Sequence, residues 1–273
     1  LKGISHRTET TYSQTFSDIS GNEVYLKNEN LQKTGSFKIR GAFNKIASLS
    51  DEEKKRGVIA SSAGNHAQGV ALGATLYGIQ ATVVMPAGAP LAKVAATRGY
   101  GADVVLHGSA YDDAYAKACE LREKTGALFL HPFNDPEVIA GQGTIGLEIL
   151  KDLPDLDVVV VPVGGGGLIS GIATAVKETK PDVKVVGVEA AGAPCMLASL
   201  QAGHMTTLNS VATIADGIAV KQPGDITFNI IEKYVDDIVT VEDEEIAYAI
   251  LMLLERAKVV AEGAGAAPVA AIL

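Results

Sequence analysis

VVVVPVGGGGLISG, residues 158–171, is the stretch that decides the fold. Its β-branched start predicts a buried strand, Val158–Pro162, and the apolar residues after the glycines predict a helix over 168–178. A strand that leads through a tight loop into a helix is the repeating unit of parallel α/β sheets. Four consecutive glycines cost backbone entropy, so we expect a reason for their presence in this loop.

The same alternation of strands and helices runs along the rest of the chain. Further strands are predicted at Val24–Lys27, Val58–Ala60, Ala81–Met85, Asp103–Leu106, Leu128–Leu130, Val183–Val188 and Ile238–Val241. Further helices are predicted at Ser36–Leu49, Asn65–Tyr77, Ala110–Lys124, Pro136–Lys151 and Asp243–Lys258, and 263–273 is a helix-like apolar run. The pattern predicts an α/β fold of two parallel-sheet lobes with helices on both faces, separated by the turn-rich segment 131–136. A ligand cleft between the lobes is the expectation.

Composition excludes several classes of protein. The 273 residues carry a net charge of −9, so the chain lacks the basic surface that nucleic acid requires. No apolar run approaches the roughly 18 residues of a membrane span, and residues 1–20 do not resemble a signal peptide. Two cysteines without a CxxC pair predict a reduced, cytoplasmic protein. Because the chain starts at Leu1 and stops inside an apolar run, we expect further residues after Leu273.

The glycine loop, Gly164–Gly167, predicts a phosphate site. At the start of a helix, exposed N–H groups and the helix dipole together favour an anion. A dinucleotide fingerprint does not fit, because Ile169 and Ser170 occupy the positions where its third glycine is required. A Walker loop does not fit either, because Ile172 replaces the lysine. The loop therefore suits one phosphate held by backbone groups, and a tight strand–helix turn is the plainer alternative.

The loop Ser61-Ser62-Ala63-Gly64-Asn65-His66 lies between a predicted strand and a predicted helix. Small residues at a helix start expose N–H groups, and the Ser62 and Asn65 side chains add donors, which suits a carboxylate. Capping of the helix by Ser62 or Asn65 is an equal alternative. A single histidine near a helix start, here His66, is more often structural than catalytic.

Lys38 lies in the segment Thr34-Gly35-Ser36-Phe37-Lys38-Ile39-Arg40-Gly41. If Ser36 caps the predicted helix, Lys38 falls in its first turn, where the positive dipole end disfavours an ammonium group. Beside Phe37, such a lysine suits the role of nucleophile or base through a lowered pKa. A surface lysine is the plainer alternative, and spacing alone does not separate the two.

Taken together, these three segments resemble the pyridoxal-phosphate-dependent threonine dehydratases, or threonine ammonia-lyases, of fold type II. The resemblance covers essentially the whole chain. Its further matching segments are Val84-Met85-Pro86, Lys93-Val94, residues 141–148 (GQGTIGLE), Ala215-Asp216-Gly217 and residues 262–266 (EGAGA). It implies a large cofactor-binding domain, 1–56 with 134–273, and a small domain, 57–133, that carries the substrate carboxylate loop.

The resemblance also implies a role for each site residue. Lys38 carries pyridoxal 5′-phosphate as a Schiff base, Phe37 packs beside the cofactor, and Asn65 bonds its ring hydroxyl. Gly164, Gly165, Gly166 and Gly167, with Leu168, hold the phosphate. The substrate carboxylate is received by Ser62, Ala63, Gly64, Asn65 and His66. Glu262 and Gly217 are expected near the ring.

The implied reaction is a β-elimination that converts L-threonine to 2-oxobutanoate and ammonia, and L-serine to pyruvate. It serves either isoleucine biosynthesis or threonine catabolism, and the implied assembly is a homodimer or homotetramer. A serine racemase or serine dehydratase of the same fold is the alternative; a nicotinamide oxidoreductase and a phosphosugar-binding module fit less well. The related racemases bind a metal through an acidic pair. Here Glu189 matches one member of that pair, but Cys195 stands at about the position of the other, so we expect no metal.

Overall fold

The computed structural model describes residue 1 and residues 3–273. Its strands are β1 (Thr10–Tyr12), β2 (Tyr25–Lys27), β3 (Val58–Ser61), β4 (Ala81–Met85), β5 (Asp103–Leu106), β6 (Leu128–Phe129), β7 (Val158–Pro162), β8 (Lys184–Ala190) and β9 (Asp237–Val241). Its helices are α1 (Gln14–Ser20), α2 (Lys38–Ala47), α3 (Asp51–Arg56), α4 (Asn65–Leu76), α5 (Leu91–Gly99), α6 (Tyr111–Thr125), α7 (Pro136–Asp152), α8 (Gly167–Thr179), α9 (Cys195–Ala202), α10 (Asp225–Tyr234), α11 (Asp243–Met252) and α12 (Gly263–Ala270). None of these described helices is long and apolar enough to cross a membrane.

Two compact units make up the chain. The first contains Leu1–His6 and Leu31–Gly141, and the second contains Arg7–Asn30 and Gln142–Leu273. The predicted division, 1–56 with 134–273 against 57–133, differs mainly in where it places residues 31–56 and 134–141. Residues 31–56 join the first unit because α2 packs closely on α4. Residues 134–141 join it because Asn44 and Lys45 of α2 bond to Glu137 and Asp135. The predicted division by function stays a prediction.

The first unit is built on a parallel sheet in the order β5-β4-β3-β6. Side chains alternate across its strands, as the pleat requires. Val58 and Ala60 face a core that α2 and α4 share, whereas Ile59 and Val84 face the opposite way, toward Ala114 and Ala118 of α6. Both faces of the sheet are thus covered by helices, as predicted.

The second unit contains a parallel sheet in the order β7-β8-β9. On one face, Val188, Ala190 and Val241 pack into a core with α11 and α12. On the other face, Ile169 of α8 lies 3.1 Å from the point where a Cβ on Gly187 would stand. The predicted strand at 24–27 belongs to neither parallel sheet, because β2 pairs antiparallel with β1.

Two predicted helix ends are wrong. Helix α2 begins at Lys38 with Phe37 at its N-cap position, so Ser36 does not cap it, although Ser36 Oγ accepts the Lys38 N–H at 3.4 Å. Helix α11 ends at Met252 rather than at 258. A π-helical turn, Leu253–Ala257, follows it and ends at Lys258, whose φ of 58° is left-handed and stops the helix.

Candidate functional site

Two loops of the predicted site follow the carboxyl ends of parallel strands, the edge where α/β proteins bind ligands. In the first unit, residues 62–64 connect β3 to α4. In the second unit, residues 163–166 connect β7 to α8. The first unit also contains Phe37 and Lys38, so the structure divides the predicted residues between a lysine-bearing unit and a glycine-loop unit.

Lys38 is the first residue of α2, as its expected place in the first helical turn requires. Its Nζ donates to the carbonyl of Pro132 at 2.9 Å and lies 5.3 Å from the centre of the Phe37 ring. The side chain is half-buried, so it is neither a surface lysine nor shut inside the core. Sequence reasoning missed Pro132, which is 94 residues away along the chain.

Two glycines bring other helices against the backbone around Lys38. A Cβ on Gly69 of α4 would stand 3.0 Å from the carbonyl carbon of Lys38, and one on Gly141 of α7 would stand 2.6 Å from the carbonyl oxygen of Arg40. Any larger residue would push these helices away from the start of α2. Sequence reasoning missed this role, although Gly69 and Gly73 show the spacing of one helix face.

The loop before α4 leaves the N-terminus of this helix without a side-chain cap. Gly64 holds the N-cap position without a side-chain cap, and Asn65 is the first helical residue. Ser62 Oγ instead accepts the N–H of Gly64 at 3.2 Å, so the capping alternative is wrong. Lys93 Nζ lies 4.0 Å from the point where a Cβ on Gly64 would stand. A helix start beside an ammonium group favours an anion.

His66 is buried, with 3% of its surface exposed. Its Nε2 lies 3.0 Å from the carbonyl oxygen of Leu130, which only accepts, so Nε2 carries the proton. Burial, and next the positive charge of Lys38, lower the pKa of His66 to about 3. The imidazole is therefore neutral at pH 7, and Nδ1 has no hydrogen-bond partner among the described residues.

Other residues of the second unit pack closely against the glycine loop. A Cβ on Gly164 would stand 2.9 Å from Ile218 Cα, and one on Gly166 would stand 2.9 Å from side-chain atoms of Met196, Thr227 and Ile231. Gly166 also has a φ of 91°, in the left-handed region that favours glycine. These contacts explain two of the four glycines by space and conformation.

Carbonyl groups of the glycine loop are bonded within the second unit, whereas two of its N–H groups have no backbone acceptor among the described residues. Thr227 Oγ1 donates to the carbonyl of Gly165 at 2.7 Å, and the carbonyl of Gly166 accepts from Ser170 N at 3.0 Å. No backbone acceptor in the described part of the chain takes the N–H of Gly165 or of Gly166. N–H groups without an acceptor at the start of α8 fit a bound phosphate.

Two further contacts of predicted residues, at Gly217 and at Glu189, lie in the second unit. A Cβ on Gly217 would stand 3.2 Å from Glu262 Oε1, so these two predicted neighbours are together. Glu189 is buried and accepts the N–H groups of Met196 and Leu197, both at 2.8 Å. Its burial raises the pKa of the Glu189 carboxyl to about 7.

Within the described residues, no group of three or more His, Cys, Asp and Glu side chains is placed to hold a metal ion.

Comparison with known proteins extends over the whole chain. A family model described as pyridoxal-phosphate dependent enzyme matches residues 2–273. An L-threonine ammonia-lyase of Thermotoga maritima is 63% identical over 273 residues, which are 100% of this chain and 68% of that protein.

Solved structures show the same fold. The processed form of threonine deaminase isoform 2 from Solanum lycopersicum has a TM-score of 0.96 at 43% identity, with 98% of this chain and 78% of that one covered. A serine racemase of maize has a TM-score of 0.97 at 40% identity, with 100% and 82% covered. Enzymes of two activities thus share this architecture.

Proposed function

The chain belongs to the pyridoxal-phosphate-dependent enzyme family, and on that basis we propose that it is a threonine ammonia-lyase. It converts L-threonine to 2-oxobutanoate and ammonia, and L-serine to pyruvate and ammonia. The observation that carries this proposal is the 63% identity, over all 273 residues, to an L-threonine ammonia-lyase. The cofactor is pyridoxal 5′-phosphate.

We assign the following residues to the cofactor. Lys38 Nζ binds it covalently, Phe37 packs beside it, and Asn65 bonds its ring hydroxyl. Gly164, Gly165, Gly166, Gly167 and Leu168 hold its phosphate. The free N–H groups of the glycine loop and the position of Lys38 at a helix start support this assignment.

The bound cofactor supplies an electron sink for the negative charge that develops at the substrate Cα. Lys38 Nζ, once the substrate amino group has released it as a free amine, would be the base that takes the proton from Cα. The β-hydroxyl group would then leave as water, taking up the proton that Lys38 Nζ removed from Cα, and a water molecule would later replace the nitrogen. Threonine therefore yields 2-oxobutanoate and ammonia with no net consumption of water.

The substrate carboxylate binds at Ser62, Ala63, Gly64, Asn65 and His66. Support comes from the uncapped start of α4 and from Lys93 near Gly64, which both favour an anion. His66 contributes through position rather than charge, because burial keeps its pKa far below 7. Its Nε2–H, bonded to the Leu130 carbonyl, anchors the start of α4 to the end of β6.

A serine racemase is the second candidate, favoured by the likeness to the maize enzyme. Racemisation requires a proton donor and acceptor on each face of the substrate Cα. Lys38 serves one face, and in the racemases that the chain resembles a serine serves the other, at the position of Ala63. The alanine methyl neither donates nor accepts a proton, so elimination is the better supported activity.

We further propose that the enzyme acts in the cytoplasm as a homodimer or homotetramer, in isoleucine biosynthesis or threonine catabolism. Both cysteines, Cys119 and Cys195, are free thiols, which suits a reducing compartment.

The experiment is reduction of the purified, yellow protein with borohydride, followed by peptide mass analysis. We expect a pyridoxyl adduct on Lys38 and formation of 2-oxobutanoate from L-threonine before reduction. A colourless protein that gains no adduct after incubation with the cofactor would contradict the proposal.

A further inference from the structure

Thr227 lies deep in the second unit, outside every predicted motif. It is the third residue of α10 and has no exposed surface. Its hydroxyl accepts the N–H of Gly224 at 3.1 Å and donates to the carbonyl of Gly165, 62 residues earlier, at 2.7 Å. The one hydroxyl hydrogen is thus used on the glycine loop, although the carbonyl of Gly224 also lies at 3.1 Å.

The contact that holds the Gly165 carbonyl also orients the Gly166 N–H, which belongs to the same peptide group. The peptide bond is planar and trans, so the carbonyl of one residue and the N–H of the next point in opposite directions. Holding the Gly165 carbonyl toward α10 therefore turns the Gly166 N–H away from α10. That N–H has no backbone acceptor among residues 1 and 3–273.

Cys195 lies beside the peptide one step earlier, but its single S–H hydrogen also interacts with the Glu189 carboxyl. Its Sγ lies 3.8 Å from the carbonyl oxygen of Gly164, whose peptide carries the N–H of Gly165. The hydroxyl of Thr227, at 2.7 Å from the Gly165 carbonyl, is therefore the stronger side-chain contact to this loop. Glycine peptides rotate at little steric cost, so side-chain contacts are needed to keep one orientation.

We propose that Thr227 is a positioning residue for the phosphate of the cofactor: its hydroxyl fixes the Gly165 carbonyl and so directs the Gly166 N–H toward the phosphate. This inference rests on the proposed function of the glycine loop. Without the hydroxyl, the Gly165 carbonyl would be buried without a donor, and its peptide would rotate to find one. The N–H of Gly166 would turn with it.

The test compares Thr227→Val, which keeps the branched shape, with Thr227→Ser, which keeps the hydroxyl. The apo-protein is titrated with pyridoxal 5′-phosphate and with pyridoxal, which lacks the phosphate. We expect Thr227→Val to weaken binding of the phosphorylated ligand about tenfold or more, and to leave pyridoxal binding within about twofold. Thr227→Ser stays close to wild type.

Thr174→Val is the matched control, because the Thr174 hydroxyl donates only within α8, to the carbonyl of Ser170 at 2.8 Å. It should leave both affinities unchanged. Equal weakening of both ligands in Thr227→Val, or no weakening of either, would overturn the inference. A wild type that binds neither ligand would instead contradict the proposed function.

A second measurement needs no variant. Inorganic phosphate is added to ¹⁵N-labelled wild-type apo-protein, and the amide signals of Gly165 and Gly166 are followed. We expect both amide protons to shift downfield on binding, as N–H groups that donate to an anion do. Signals that stay unmoved while phosphate binds elsewhere would overturn the inference even if Thr227→Val does not fold.

Discussion

Lys38 combines three features that a surface lysine lacks. It begins a helix, its Nζ is held by the Pro132 carbonyl at 2.9 Å, and Gly69 brings the backbone of α4 against its own. A lysine whose main chain and side chain are both held in place is pre-organised for covalent chemistry. The proposed base is thus positioned by its neighbours and not only by its motif.

Replacing Lys38 tests its role directly. Lys38→Ala should lower the rate of 2-oxobutanoate formation by about a thousandfold or more, because the proton acceptor is lost. Cofactor binding through the phosphate should persist, though without the covalent bond. Lys55→Ala is the control, since Lys55 is an exposed lysine that pairs with Glu52 at 2.9 Å. A near-normal rate in Lys38→Ala would overturn the mechanism.

Ala63 separates elimination from racemisation. We predict that the wild type forms no appreciable D-serine from L-serine, and that Ala63→Ser adds a measurable racemase activity. Ala63→Gly, which also lacks a hydroxyl, should add none. Chiral analysis of serine after incubation with each protein is the measurement. Substantial D-serine from the wild type would show that another residue serves the second face.

At the scale of elements, the approach of α4 to α2 depends on Gly69. A Cβ there would meet three backbone atoms of Lys38 and Ile39 at 3.0–3.1 Å, and backbone atoms cannot rotate away as a side chain can. Gly73, one turn later, meets the side chain of Ile46 at 3.0 Å, where some adjustment is possible. The contact between the two helices that can adjust least is therefore next to Lys38.

Gly69→Ala should consequently destabilise the protein by about 1–3 kcal/mol and lower the turnover number, because the start of α2 must move. Gly99→Ala is the matched control. Gly99 ends α5, and among the described residues no atom outside its own stretch of helix lies within 4 Å of its added Cβ. This change should therefore be neutral or slightly stabilising. Urea unfolding and steady-state kinetics are the measurements. An unaltered stability in Gly69→Ala would contradict this account of the helix contact.

At the scale of the whole molecule, the Glu189 carboxyl makes the free energy of unfolding depend on pH. Its pKa is raised from 4.5 to about 7, chiefly by burial. Below pH 4.5 the carboxyl is protonated in both the folded and the unfolded state. Between pH 4.5 and 7 it ionises only on unfolding, which favours the unfolded state progressively as the pH rises. Above pH 7 the effect is constant.

We therefore predict that the free energy of unfolding of the wild type, relative to Glu189→Gln, falls by up to about 3 kcal/mol between pH 4.5 and 7. Denaturant titrations of both apo-proteins across this range measure it. A difference that is constant with pH would mean that Glu189 is not kept protonated by folding.

Much of the fold could be predicted because strands and helices follow local patterns. The bounds of β4, β5 and β7 agree with the β-branched runs, and α4, α7 and α8 agree within about two residues with the apolar spacing. Helix α3 was missed because it buries no residue and has no periodicity to read. Helix α9 was missed because it is short and almost uniformly apolar.

The sequence by itself determined the α/β class, the strand–glycine–helix loop and a lysine at a helix start, since each depends on residues close together in the chain. Only the tertiary structure decided that Thr227 holds the Gly165 carbonyl, that Pro132 receives Lys38 Nζ, and that His66 is neutral. The physical reason is the distance along the chain over which each property acts. Periodicity and backbone conformation are short-range properties, whereas burial and hydrogen bonds between distant segments exist only after the chain has folded.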